Sequence, residues 1–467
     1  MFVAGCTSKD TEQKISDSEA YVRVSEKNPY YFELSNGSTY IPIGLNLVGA
    51  HGTTEEGLAQ MEDWMIKLSE NGGNYTRIWL GHRFWNLEQE KAGEFDPESM
   101  RRTDSLFAIA RRHGIRLKLC LESFRSIHPD NVGKKGRFPL TMYHVSEGGP
   151  FNNMDEYINT EKGKQHFLKK MDWYYERYGS DPIVFGWELW NEMDAIVADG
   201  WEDWTVEMLA ELDNRFLENL VMQSLGSYDR IEKRPMYKEI NKLPGNEVGQ
   251  VHRYLDLGAE WEICHAPMDV LAADAVNEMI RFELDKPIIH TETGGVEPNH
   301  TGPIRYYEKD TEGMLLHDIL FAPFFTGAAG PGHTWHWGAY VDENDLWYHF
   351  DRFSQFVDGI NPAEEDFQPL LFEKNDLKLY ALEGNETILV WLRDKNNTWR
   401  SELENGIPPQ EFSDVTIDFD NYNLDISKSK IEIFDSWKNE WKSVTVKNNS
   451  VELPEFSRSI LIRAKSE

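Results

Sequence analysis

From about residue 30 to residue 360 the chain alternates short apolar runs with amphipathic stretches of helical period, the pattern of a parallel sheet built from βα units. The run Pro182-Ile183-Val184-Phe185-Gly186-Trp187-Glu188-Leu189 is apolar on both faces, as a strand covered on both sides must be. Further strands are expected at 40–48, 74–80, 115–121, 220–224, 247–252, 287–290 and 333–337. Between them, 54–70 sets Leu58, Met61, Trp64, Met65 and Leu68 on one helical stripe. Asp96-Pro97 opens a second helix and Gly114 closes it, with Met100, Thr103, Phe107 and Ala110 on its buried face. A third, over 160–178, carries Phe167, Met171, Tyr174, Tyr175 and Tyr178. Eight strands over about 300 residues suit an eightfold βα (TIM) barrel. A doubly wound sheet is the rival, but no glycine-rich phosphate loop follows any strand. After Pro362 short strands follow at close spacing, the texture of a small β-sandwich. The expected division is a tail and tether over 1–20, an α/β barrel over 21–362 and a C-terminal β-sandwich over 363–467.

With 48 basic and 80 acidic residues the chain carries a net charge of −32, which argues against nucleic acid and anionic membrane surfaces as partners. Sixteen Trp, 19 Tyr and 24 Phe on an acidic chain suit a neutral sugar, whose apolar faces stack on aromatic rings. No apolar run reaches the ~20 residues that span a bilayer. Cys6, Cys120 and Cys264 are too far apart to suggest a disulfide framework or a zinc site. The start, Met1-Phe2-Val3-Ala4-Gly5-Cys6, resembles the end of a bacterial lipoprotein signal. On that reading the protein is exported to the cell envelope and touches the membrane only through a lipid on Cys6. The alternative is an accidental Ala-Gly-Cys in a polar terminus. The acidic stretch 418–425 lacks the glycine and glutamate of a calcium loop.

Two strand ends stand out. Gly186-Trp187-Glu188-Leu189-Trp190-Asn191-Glu192 closes an apolar strand with Asn-Glu, and Pro287-Ile288-Ile289-His290-Thr291-Glu292-Thr293-Gly294-Gly295 closes another with a glutamate and glycines expected to keep the rim open. A lone strand-end glutamate is as readily a cap or a rim ion pair. Two on one barrel face are what retaining glycoside hydrolysis requires, one to attack the anomeric carbon and one to move protons. No metal or organic cofactor is needed for that chemistry.

The phrase Asp181-Pro182-Ile183-Val184-Phe185-Gly186-Trp187-Glu188-Leu189-Trp190-Asn191-Glu192 resembles the fourth strand of glycoside hydrolase clan A, most closely family 5 with its mannanase- and cellulase-like members. The resemblance covers roughly residues 30–360. It implies a βα barrel that cleaves β-glycosides with retention, with Glu192 as acid/base, Glu292 as nucleophile and Asn191 as partner of the sugar 2-hydroxyl. It also implies that Arg77 and Tyr254 hold the nucleophile, that His252 lines the pocket, and that Trp335 or Trp337 floors the sugar site. Glu192 is then expected to be protonated near neutral pH, with its pKa raised by burial and by Glu292. Met193 stands where the family usually has proline, and Glu122 stands where many relatives place histidine. Glu122 is read as a substrate contact, a like-charge neighbour of Glu192, or an ion-pair partner of Arg125; Asn46 is read as a rim contact. The inserts 123–159 and 191–204 suggest a pocket walled at one end. The rival reading is a non-catalytic glycan-binding lipoprotein, and a transglycosidase would use the same carboxylates.

Overall fold

The structure is a computed structural model that describes residues 15–298 and 300–466. The lipoprotein-like sequence around Cys6 lies outside the described residues. Five strands, β1 (Gly44–Asn46), β2 (Tyr75–Trp79), β3 (Arg116–Glu122), β4 (Val184–Trp190) and β5 (Leu220–Met222), form one parallel sheet in chain order. Two more, β6 (Gly249–His252) and β7 (Ile288–Glu292), pair in parallel with each other. All seven residues of β4 are buried, in keeping with its unbroken apolar sequence.

The segment expected as an eighth strand, 333–337, is not a regular strand. It makes one parallel bridge, Thr334 to Thr293, and Trp337 already opens a π-type turn over Trp337–Asp342 that carries the chain off the sheet. Main-chain bonds nevertheless run from β7 through this segment to β1: His333 N donates to His290 O at 2.9 Å, Trp335 N to Thr293 O at 2.8 Å, and Asn46 N to Thr334 O at 3.2 Å. Toward the other edge, Glu247 N donates to Val221 O at 3.0 Å, just before β6 begins.

The helices start and stop where side chains satisfy their end groups. In α1 (Thr54–Glu70), Thr53 and Glu56 form a reciprocal capping box. In α2 (Pro97–His113), the Asp96 carboxylate accepts from Ser99 N, and Gly114 ends the helix at φ 67°. In α3 (Glu161–Tyr178), Thr160 caps the start. Tyr175 points to solvent, 45% exposed, rather than joining the buried face of α3.

Beyond Pro362 a six-stranded antiparallel sheet follows, ordered β8 (Gln368–Lys374), β9 (Leu377–Glu383), β10 (Thr387–Asp394), β13 (Ser459–Ser466), β11 (Ser429–Asp435), β12 (Glu440–Val444). Strand alternation splits its side chains between two cores. Tyr380, Leu382, Leu389, Trp391, Phe434 and Leu461 join the large core of the βα portion. Leu379, Ala381, Ile388, Val390, Leu392, Ile460 and Ile462 pack instead with Phe412, Ile417 and Val451, from two short ribbons, Glu411–Phe412 with Phe456–Ser457 and Thr416–Asp418 with Ser450–Glu452. The tryptophans of this region do not make an open stripe: Trp391 and Trp399 are buried, Trp437 is half-buried, and Trp441 stacks on Phe434 at 4.3 Å.

Candidate active site

Inside the parallel sheet, Arg77 of β2, Lys118 of β3, Glu188 of β4 and Gln250 of β6 meet in one fully buried network. Arg77 grips Glu188 with two parallel bonds, Nε to Oε2 at 2.8 Å and Nη2 to Oε1 at 2.9 Å; Lys118 Nζ lies 3.0 Å from the same carboxylate and also donates to Gln250. Burial alone would raise the Glu188 pKa, but Arg77 and Lys118 outweigh it and bring it down to about 2. The guanidinium anchored this way turns its remaining donors upward, Nη1 to Glu292 and Nη2 to Asn191 Oδ1 at 2.9 Å.

Glu292 therefore sits at the end of β7 with Arg77 on Oε1, while Tyr254 Oη donates to Oε2 at 2.8 Å. A register slip between His290 and Glu292, with Thr291 as the extra residue, aims it here. Without that bulge Glu292 would share the face of His290. Glu192 lies two residues beyond the last residue of β4, Trp190, in a left-handed conformation (φ 53°, ψ 60°), uncommon for a residue with a Cβ and characteristic of strained functional positions. The elbow is held by Asn191 N to Glu122 O at 2.8 Å and Glu192 N to Ser224 Oγ at 3.3 Å. His252 Nδ1 stands between the two carboxylates, 3.1 Å from Glu192 Oε1 and 3.4 Å from Glu292 Oε2. One oxygen of each carboxylate and a His252 ring nitrogen lie within 4.8 Å of one another. This Glu-His-Glu set has donor types that suit a divalent cation, but Arg77 and Arg125 already supply positive charge to its carboxylates.

The carboxylates open into a cleft of about 930 Å³ whose lining includes Trp79, Trp335, Tyr254, His300 and His336 together with Arg125, Phe138, Asp194, Arg230 and Lys233. Trp335 lies 4.9 Å from Trp79. Asn191 Nδ2 and Trp79 Nε1 are buried donors without a partner among the described residues.

Several expected site residues are elsewhere. Asn46 is fully buried and donates to the Thr291, His333 and Thr334 carbonyls at 3.0–3.2 Å, sewing β1 to its neighbours instead of facing a ligand. Glu122 is buried against Lys170 of α3 and does not pair with Arg125; burial raises its pKa against the pull of Lys170. Trp337 follows the chain into its π-type turn and packs edge-on against Trp64 at 6.0 Å, leaving Trp335 in the cleft. Gly294 and Gly295 do not serve an open rim: a Cβ on Gly294 would come within 2.7 Å of Tyr307 Oη, and one on Gly295 within 2.4 Å of Ile304. Nor is Glu192 raised in pKa. Burial pushes it up, but Arg125, His252 and Lys233 together hold it below the ordinary carboxylate range. Glu188, Arg125 and Trp79 are the site residues that pattern reading passed over. The charge inside an apolar strand was the available signal for Glu188.

No family model matches the chain. It is 27% identical over 147 residues to mannan endo-1,4-beta-mannosidase 2 of Arabidopsis thaliana, a match to 28% of this chain and 33% of that protein. The chain thus spans about a third of the curated relatives it matches. A glycoside hydrolase family 5 structure from Bacteroides vulgatus superposes with a TM-score of 0.59 at 10% identity, covering 96% of this chain and 94% of the other. The endo-beta-1,4-mannanase of Thermotoga petrophila gives 0.51 at 14% identity, covering 92% and 99%. The structural neighbours of this chain thus include glycoside hydrolases of family 5, and an alpha-amylase from Anoxybacillus superposes with a TM-score of 0.55 at 12% identity, covering 88% of this chain and 91% of the other. At these identities the likeness is one of fold, and the chemistry rests on the residues described above.

Proposed function

We propose that this protein is a retaining glycoside hydrolase that cleaves β-linked oligo- or polysaccharides with a mannan- or glucan-like backbone, on an eightfold βα barrel buttressed by a C-terminal β-sandwich. The observation that carries the reading is the carboxylate pair: Glu192 and Glu292 come from two strand ends, share His252, and bring one oxygen of each within 4.8 Å of the other. Retaining enzymes hold their carboxyls about 5–5.5 Å apart, whereas inverting ones need about 6.5–9.5 Å to admit water.

Glu292, held by Arg77 and oriented by Tyr254, attacks the anomeric carbon as its bond to the departing oxygen breaks. Glu192 gives that oxygen a proton, so the leaving sugar departs neutral. Glu192 then takes a proton from water, which attacks the glycosyl-enzyme and restores Glu292. Asn191 Nδ2, unpartnered among the described residues, offers a bond to the 2-hydroxyl, and Trp335 offers a stacking face. The insert after β3 walls the cleft beside Glu192 through Arg125 and Phe138, which supports release of short units; a ladder of intermediate lengths from a defined oligosaccharide would contradict it.

The test is a panel of aryl β-glycosides and β-linked polysaccharides. The expected result is turnover with retained anomeric configuration by NMR, a loss of at least about 10³-fold in Glu292→Ala, and partial recovery of that variant by azide as an external nucleophile. Inverted product, or undiminished turnover in Glu292→Ala, would sink the assignment. A non-catalytic glycan platform would bind sugars equally well in wild type and variant and turn over none.

A further inference from the structure

The chain as a whole is strongly acidic, 80 acidic residues to 48 basic, yet its cleft is not. Five cationic side chains line it, Arg125, Lys134, Lys135, Arg230 and Lys233, against four carboxylates, Glu192, Asp194, Asp229 and Glu292. The carboxylates are all engaged: Glu292 with Arg77, Glu192 with Arg125, and Asp194 and Asp229 each 3.6 Å from Lys233. Lys134, Lys135 and Arg230 are exposed and have no acidic partner among the described residues.

Their placement is directional. β3 and β5 flank β4, whose end carries Glu192. The loop after β3 supplies Arg125, Lys134 and Lys135, and the segment after β5 supplies Arg230 and Lys233. Residues 123–138 hold four Arg or Lys and a single acidic residue, Asp130. A general acid stands beside the oxygen it protonates, so these cations surround the leaving-group sugar.

Arg125 links that charge to the chemistry. Its guanidinium lies 5.1 Å from the Phe138 ring centroid, donates from Nη1 to Gly136 O at 3.0 Å, and pairs through Nη2 with Glu192. Its Nε is buried and has no partner among the described residues. Glu192, facing Arg125, His252 and Lys233 with Glu292 opposite, is thereby held as an anion, although the first chemical step needs it protonated.

We propose that the leaving-group side of the cleft binds a sugar bearing a carboxylate or a sulfate ester, and that this anion takes Arg125 over from Glu192. The proposal rests on the glycoside hydrolase reading above. The incoming anion meets a planar fork in which Nε is already free. Glu192, released, takes a proton from solvent and becomes the acid that the departing oxygen requires. The substrate's own charge then arms the enzyme.

The test compares uronate-containing and sulfated β-linked oligosaccharides with their carboxyl-reduced and desulfated forms. 2,4-Dinitrophenyl β-glycosides, whose leaving group departs without a proton, serve as controls. Wild type should cleave one of the acidic classes with kcat/KM at least about tenfold above its neutral counterpart, a preference that shrinks as salt rises. The arm that shows the preference identifies the anion. In Lys134→Ala/Lys135→Ala/Arg230→Ala the ratio should fall toward one. In Arg125→Ala the preference should vanish and the basic limb of the pH profile should move to higher pH, because Glu192 keeps its proton longer; a merely structural role for Arg125 would lower all rates without moving that limb. Equal or better cleavage of the neutral forms, or no cleavage of any acidic one, by an enzyme that still turns over dinitrophenyl glycosides overturns the anion proposal and leaves the hydrolase standing. Failure on every glycoside, dinitrophenyl ones included, overturns the hydrolase reading itself.

Discussion

The side chain on which the site depends most is one that touches no reacting atom. Glu188 fixes Arg77 through two parallel bonds, and Arg77 in turn fixes Glu292 and Asn191. Glu188→Gln keeps the shape but removes the charge that balances Arg77 and Lys118. We expect kcat to fall by roughly 10²-fold with little change in KM, since the loss is one of positioning. Stability should fall as well, with a definite pH dependence. The folded carboxyl has its pKa depressed to about 2, below the ~4.3 of an unfolded glutamate. Its contribution is therefore complete above about pH 4.3 and disappears as pH falls toward 2, on the order of 3 kcal/mol in all. Denaturant titrations of wild type and Glu188→Gln at several pH values check this: their difference should be large at pH 6 and small near pH 2. A pH-independent difference would mean that the carboxylate is not the source.

At the scale of elements, the site depends on irregularities at strand ends. β7 carries a bulge at Thr291, Glu192 two residues past β4 is left-handed, and Gly294 stands at φ 141° against Tyr307 and His336. Such features re-aim side chains that regular alternation would bury. Gly294→Ala places a Cβ 2.7 Å from Tyr307 Oη in a backbone region that residues with a Cβ avoid. A loss of about 2 kcal/mol or more in stability is expected, with a disproportionate loss of turnover because Glu292 lies only two residues away. Thermal unfolding and aryl-glycoside kinetics on one preparation separate the two effects. Unchanged kinetics in a destabilised variant would show that the bulge is anchored elsewhere.

At the scale of the molecule, the C-terminal sheet is bound to the βα portion by buried charge as well as by apolar packing. Asp318 of α4 (Met314–Phe325) pairs with Arg393 of β10, Nε to Oδ1 at 2.8 Å, with both side chains 1% exposed. Asp269 pairs with Lys378 of β9 and accepts from Tyr380 Oη at 2.8 Å. Removing one partner of a buried pair leaves a charge with no solvent, so Arg393→Ala should cost about 3–5 kcal/mol. The double change Asp318→Leu/Arg393→Met should recover most of that loss. Calorimetry checks this and also shows whether the two portions melt together, as the continuous core through Trp391 and Phe321 implies. A separate low-temperature transition in wild type would contradict it.

The sequence by itself determined the order of strands and helices, their caps, and the two strand ends on which Glu192 and Glu292 lie. These depend on periodicity, glycine, proline and capping residues, which are local. Arg77 and Tyr254 came to notice through the resemblance of their surrounding motifs to family 5. What only the tertiary structure decided is which groups share a space. Arg125 falls on Glu192 and Lys170 on Glu122; Asn46 turns to carbonyls of β7 and its neighbouring segment, and Trp337 leaves the cleft to Trp335. A −32 chain likewise acquires a cation-rich cleft because loops distant in sequence meet around one strand end. Charge and hydrogen bonding act over a few ångströms between residues tens to hundreds of positions apart, and no local pattern in the chain encodes those distances.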